Sequence, residues 1–145
     1  MTLKPRLSFN PRVPDPERNS FHSECFACGS RSERGLHLHF EQQGDRISGS
    51  ITIGTDFQSY EGITHGGIIT TLLDAAMVRC LYNVFHQQPF TCRLDVRFRH
   101  SVPTNVPVVI KAHIVSKRTN RCAVEAEVRR ENQLCVRGQG VFMLR

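Results

Sequence analysis

Hydrophobic and polar positions follow two different periods along this chain, and they divide it into elements. Leu36, Leu38 and Phe40 alternate with His37 and His39, which predicts a short strand. Arg46 to Ile53 alternates again, with Ile47, Gly49, Ile51 and Ile53 on one face. Residues 54–65 lose the pattern and read as a loop. From Gly66 to about Phe85 the period turns helical, with Ile69, Leu72, Leu73, Ala76, Cys80 and Val84 on one stripe. The remaining early positions are hardly polar, and Asp74 and Arg79 are the only formal charges between Gly62 and Phe85. A helix apolar nearly all round is a buried helix.

After Pro89 the alternation returns for the rest of the chain. Phe90, Cys92, Leu94, Val96 and Phe98 oppose Thr91, Arg93, Asp95, Arg97 and Arg99. Val106 to Val115 continues, and turns are expected near Thr119-Asn120 and Glu131-Asn132-Gln133. Cys122, Val124, Ala126 and Val128 form one apolar face; Leu134, Val136, Gly138, Gly140, Phe142 and Leu144 form the last. One apolar and one polar face per strand fits an antiparallel sheet wet on one side. The predicted order is two strands, one buried helix, then four strands. The helix is ~30 Å long, so a curved sheet has to wrap it, giving an α+β architecture.

The 145 residues suit one domain. Residues 1–35, with Pro5, Pro11, Pro14 and Pro16 and a Cys25-Phe-Ala-Cys28-Gly29 loop, read as an arm preceding a domain at 36–145. No 18-residue apolar run is evident, so no membrane partner is expected. The N-terminus lacks a signal-peptide pattern. The six cysteines are therefore read as reduced, and the location as cytoplasmic.

The net charge is +6. Nucleic acid is one reading of such a balance, but no aromatic platforms are interleaved with the basic residues, and no nucleic-acid partner is expected. A small polyphosphate ligand is the other reading. Its candidate contacts are Arg99, at a strand end, and Lys117, Arg118 and Arg121 around a hairpin turn; these side chains also read as solvated strand faces.

The candidate chemistry sits on the buried helix. Helix N-termini present unpaired N–H groups and partial positive charge. Gly66 and Gly67 let a ligand oxygen approach that backbone, or they serve only a tight turn. Asp74 is the lone acid of the helix: either a partly desolvated nucleophile or base, or a structural carboxylate. His65 is a general base or, preferably, a cap for the turn. Tyr60, Met77 and Val78 are candidates for lining a pocket, the alternatives being loop packing for Tyr60 and core packing for Met77 and Val78. Gly66 and Asp74 are ~12 Å apart along one helix, too far to act on one carbonyl group. Two antiparallel helices bring Gly66 of one chain to Asp74 of another, so a two-fold dimer carries two equivalent sites. Cys25-x-x-Cys28 resembles half a zinc knuckle. It has no second Cys-x-x-Cys, and His22, His37 and His39 stand at no standard spacing, so no metal is expected.

The segment His65-Gly66-Gly67-Ile68-Ile69-Thr70-Thr71-Leu72-Leu73-Asp74, on a helix after a strand pair, resembles the signature of hotdog-fold acyl-CoA thioesterases, in the branch typified by the phenylacetate-pathway enzyme. The resemblance spans residues 36–145. It implies a hotdog fold, with five to six antiparallel strands around one central helix, and hydrolysis of a CoA thioester without any cofactor, coenzyme A being part of the substrate. It also implies that the Gly66 N–H binds the thioester oxygen and that Asp74 is nucleophile or base. An amide six residues before the His assists in characterised members; here Ser59 occupies that position, with Gln58 beside it. The resemblance further implies a homodimer or a dimer of dimers. A non-catalytic acyl-CoA or lipid-binding hotdog module is the alternative expectation.

Overall fold

A computed structural model describes residues 22–145. Its strands are β1 (Glu41–Gln43), β2 (Arg46–Thr52), β3 (Pro89–Phe98), β4 (Pro107–Arg118), β5 (Arg121–Arg130) and β6 (Gln133–Leu144). The single α-helix among the described residues, α1, spans Gly66–Phe85, the segment where the period turns helical. All six strands pair antiparallel in the order β1-β2-β4-β5-β6-β3. This is the expected sheet-and-helix hotdog fold.

The core lies between α1 and the concave face of the sheet. Ile69, Leu72, Leu73, Ala76, Met77, Cys80 and Leu81 of α1 are buried against Ile110, Val124, Val128 and Phe142 of the strands. By length and composition α1 could also cross a membrane, contrary to the sequence reading. Its apolar stripe is instead packed on the sheet. The helix lies close over β6: a Cβ at Gly140 would stand 2.7 Å from the Met77 sulfur. Met77 is thus wedged in the core.

Residues 36–40 do not form the predicted strand. The Leu36 and Leu38 N–H groups donate to the Phe26 and Ala27 carbonyls at 2.6 and 2.9 Å, and His37 takes a left-handed φ of 51°. The alternation is nevertheless real, since both leucines are buried. Their backbone pairs with the Cys25–Cys28 loop instead of the sheet. That loop contributes Ala27 and Cys28 to the same core as α1. The proline-bearing part of the arm lies outside the described residues.

Two bulges alter the faces expected of β3 and β4. In the β3–β6 ladder Thr91 faces Phe142 while Arg93 faces Val141, so Cys92 is an extra residue. A bulge re-aims the side chains around it. Thr91 turns toward the helix and Phe90 turns out, where Arg145 stacks on its ring. In β4 the register shifts between Ile114 and Ser116. Lys117 then lies opposite the buried Cys122, and its Nζ sits 5.1 Å from the Phe85 ring centroid.

Candidate active site

The N-terminus of α1 is built by a short loop that closes on itself. A 3-10 turn covers Thr55–Phe57, and the His65 N–H donates to the Phe57 carbonyl at 2.9 Å. Gln58 and Thr64 form an isolated bridge, and the Gln58 side-chain oxygen accepts from the Gly62 N–H at 3.2 Å. The Ser59 N–H donates to the Ile63 carbonyl. Gln58 therefore holds the loop together, and Tyr60, 80% exposed, stands in solvent.

His65 is the N-cap residue of α1. Its Nδ1 accepts a hydrogen bond from the Gly67 N–H at 2.8 Å. A neutral imidazole so engaged carries its proton on Nε2. This contact satisfies one helix N-terminal donor and removes Gly67 from the candidate oxyanion donors. The Gly66 N–H donates to no group among the described residues. A Cβ at Gly66 would only touch the Phe98 ring at 3.7 Å, so nothing among the described residues crowds this position.

Gly66, Thr70, Asp74 and Val78 follow at intervals of four and are all half-buried. They form a row along the side of α1 that the sheet leaves partly open. The Thr70 hydroxyl donates back to the Gly66 carbonyl at 2.9 Å, which turns this polar group onto its own helix. Asp74 is the only acid in the row and is half-buried. Its Oδ1 accepts a hydrogen bond from the Thr91 hydroxyl at 2.8 Å. Burial pushes the Asp74 carboxyl above its ordinary value; the Thr91 bond pulls it back down, and the nearby Cys25 adds a push upward. A carboxylate held this way is more basic than one in water. Thr91 escaped the sequence reading because simple alternation puts it on the wet face. Only the bulge at Cys92 brings it to Asp74.

The basic candidates do not converge within one chain. The Arg99 N–H donates to the Cys135 carbonyl, while Arg121 lies opposite Met143. Eight residues of β6 separate these points, roughly 27 Å of strand. Arg118 and Arg121 face each other across the β4–β5 ladder. Around Arg99 the structure adds residues that sequence reasoning did not select. Arg97 lies directly opposite Arg137, and with Arg99, Asp95 and Gln139 they line a groove of about 320 Å³. Like charges directly opposite on a sheet repel. A second groove, of about 440 Å³, crosses strands β1, β2, β4, β5 and β6; its lining mixes Glu41, Arg46, Lys111, Glu125 and Glu127 and includes neither Gly66 nor Asp74.

Near the start of the described chain, His22, Cys25 and Cys28 bring their ligand atoms within 4.8 Å of one another. Cys28 donates a hydrogen bond to the Cys25 sulfur, and with neighbouring backbone N–H groups this lowers the Cys25 thiol to about 5.

Comparison with known proteins agrees with this fold. Residues 61–136 match the family model of the thioesterase superfamily. The chain is 23% identical over 77 residues to MIOREX complex component 3 of Saccharomyces cerevisiae, and the match takes in 52% of this chain but only 28% of that protein. A conserved Pseudomonas aeruginosa protein superposes with a TM-score of 0.73 at 24% identity, over 91% of this chain and all (100%) of that one. A hypothetical thioesterase of Streptococcus pneumoniae, solved with coenzyme A, superposes with a TM-score of 0.68 at 15% identity, over 74% of this chain and 87% of that one. With more than half of its residues inside the matched family model, the chain belongs to the thioesterase superfamily.

Proposed function

We propose that the protein is an acyl-CoA thioesterase whose active sites are shared between the two chains of a dimer. The observation that carries this reading is the row on α1. It holds a bare N–H at Gly66 and a half-buried carboxylate at Asp74, two turns apart, beside an edge strand. Each group lacks what the other supplies, and ~12 Å of helix keeps them from meeting within one chain. A two-fold axis perpendicular to the helix, midway along the row, makes the two helices antiparallel and sets Gly66 against Asp74 of the partner subunit. The Gly66 N–H then stabilises the negative charge that develops on the thioester oxygen. Either Asp74 deprotonates the water that attacks the carbonyl carbon, giving the acid as the CoA thiolate leaves, or Asp74 attacks it directly. In the second case the thiolate leaves, and water then hydrolyses the acyl-Asp74 anhydride to the acid and the free carboxylate. His65 acts by holding Gly67 and the helix start in place, and Thr91 orients Asp74.

Coenzyme A as the carrier is supported by the likeness to the streptococcal fold solved with that molecule. Its phosphates fit Arg97, Arg99 and Arg137, which line one groove, although Arg137 also stands 4.0 Å from Glu127. Lys117 is engaged on the Phe85 ring and is a weaker candidate. Val78 follows Asp74 in the row and faces the acyl group; Met77, buried in the core, does not.

The test begins with a mixed acyl-CoA panel. Turnover of one class is expected, while binding without turnover points to the non-catalytic module. A complementation experiment then tests the shared site. Asp74→Ala and a bulky Gly66→Phe chain, each inactive alone, are unfolded, mixed equally and refolded. Random pairing makes about half of the dimers mixed, each with one intact site, so activity should recover to about a quarter of wild type. Mixed dimers that form but stay at background overturn the shared site. For the phosphates, Arg137→Ala should raise KM for an acyl-CoA and leave an acyl-pantetheine, which lacks the nucleotide, unchanged.

A further inference from the structure

The geometry points to a binding site for one thiophilic divalent cation, zinc by its chemistry, held by His22, Cys25 and Cys28. Sequence spacing alone sets His22 aside and predicts no metal. Folding brings its ring onto the Cys-x-x-Cys turn, so that three ligand atoms on seven residues of chain lie within 4.8 Å of one another. In a tetrahedral zinc centre, bonds of ~2.3 Å to sulfur and ~2.0 Å to nitrogen put neighbouring S and N ligands about 3.6 Å apart. The Cys28 sulfur already stands 3.6 Å from the His22 Nδ1.

The turn that carries the ligands is fixed by its own backbone. The Gly29 N–H donates to the Cys25 carbonyl at 2.7 Å, the Cys25 N–H to the His22 carbonyl at 3.0 Å, and the Arg31 N–H to the Ser23 carbonyl at 2.8 Å. The chain packs so tightly here that a Cβ at Gly29 would lie 2.5 Å from Cys25 backbone atoms. From the far side, His37 Nδ1 lies 3.1 Å from the Gly29 carbonyl. The Phe26 and Ala27 carbonyls, between the two cysteines, accept from Leu36 and Leu38. The ligands are therefore positioned before any ion arrives, which lowers the ordering cost of binding.

Charge fits as well. Two thiolates and one neutral imidazole exactly offset a divalent ion, and a neutral complex is the form that tolerates burial beside Cys28, 2% exposed. The described residues supply three ligands, and a water completes the four. Bound there, the ion ties the 22–29 turn to itself and, through Leu36 and Leu38, to the core. The gain is stability of a segment with little apolar mass of its own.

The test uses the full chain, purified under reducing conditions, stripped of metal and titrated with cobalt(II) as a spectroscopic stand-in for zinc. One equivalent should produce thiolate-to-cobalt charge transfer and the intense visible bands of a four-coordinate ion. Zinc should displace the cobalt, and the zinc form should melt at a higher temperature than the stripped form. Cys25→Ser or Cys28→Ser should lose about half of the charge-transfer intensity, one of two thiolates being gone. His22→Ala, a milder change, should weaken cobalt binding at least ~10-fold, the scale of losing one ligand interaction. Weak octahedral bands alone in the wild-type chain overturn the proposal. So does a spectrum that Cys25→Ser, Cys28→Ser and His22→Ala all leave unchanged.

Discussion

Strands β3 and β5 are both ten residues long and carry nearly the same alternation, yet they end in different environments. On β5, Cys122, Val124, Ala126 and Val128 are all at most 3% exposed. On β3, Leu94 and Val96 are half-buried, while Phe90 and Phe98 are 42% and 54% exposed. The difference is one of neighbours: β5 lies between β4 and β6, whereas among the described residues β3 pairs only with β6 and leaves its other edge open. Period-2 alternation specifies which face of a strand is apolar. It says nothing of whether both edges are taken. A long, open, partly apolar edge is what proteins ordinarily cover or pair. Here that edge adjoins the candidate catalytic carboxylate.

Four substitutions probe this contrast. The largest effect belongs to the covered side. Phe142, fully buried on β6 opposite Thr91 and Cys122, should cost about 3–5 kcal/mol of stability as Phe142→Ala, read from denaturant unfolding. A loss below 1 kcal/mol would mean that the region is far less tightly packed than described. Next, Asp74→Asn should leave the fold and assembly intact and lower turnover at least ~10²-fold, the scale of losing a base or nucleophile. Near-normal turnover would remove Asp74 from the reaction. Third, Phe98→Glu places a charge beside the open edge. It should weaken dimerisation at least ~10-fold in sedimentation while costing the subunit little stability. An unchanged association constant would show that this edge is not the docking edge.

The smallest effect is a shift along the pH axis. The folded protein holds the Asp74 proton more tightly than the unfolded chain does, because burial raises this group. Activity that needs the carboxylate therefore rises as pH climbs through the raised value. The stability contribution has the opposite sign: it declines as pH rises from the ordinary aspartate value through the raised one. Thr91→Val removes the hydrogen bond that favours the ionised form. The acid limb of the kcat/KM profile should move to higher pH with its plateau largely kept. An unmoved limb would mean that Thr91 does not act on the reacting carboxylate.

Helix α1 and most of the β4–β6 meander were legible because their apolar residues recur over many periods, but a third register shift buries Cys135 and leaves Leu134, expected on the apolar face, half-buried. Leu36 and Leu38 were read correctly as inward-facing and wrongly as strand, since alternation does not reveal which backbone a segment pairs with. The bulges at Cys92 and Val115 were invisible, because each adds one residue without disturbing the look of the pattern. Thr91 and Lys117 changed faces as a result. In the candidate site, Gly66 and Asp74 could be read as the exceptions on an apolar helix. Arg137 could not, since only strand register sets it against Arg97. His22 was named but set aside for a related reason: spacing along the chain does not show where a turn delivers a loop side chain.

The strand order also has a consequence in time. β3 follows directly on α1, but β6, its sole partner among the described residues, begins at Gln133, with 34 residues between. At ~5–20 residues per second, a growing chain carries β3 unpaired on both edges for about 2–7 s before β6 is even made. Pairing across that separation also closes a large loop, which slows folding relative to the β4–β5 and β5–β6 hairpins. Throughout that interval Phe90, Leu94, Val96 and Phe98 are open to any neighbouring strand. The edge that a second subunit is proposed to cover is thus also the segment at which a nascent chain most needs protection from aggregation.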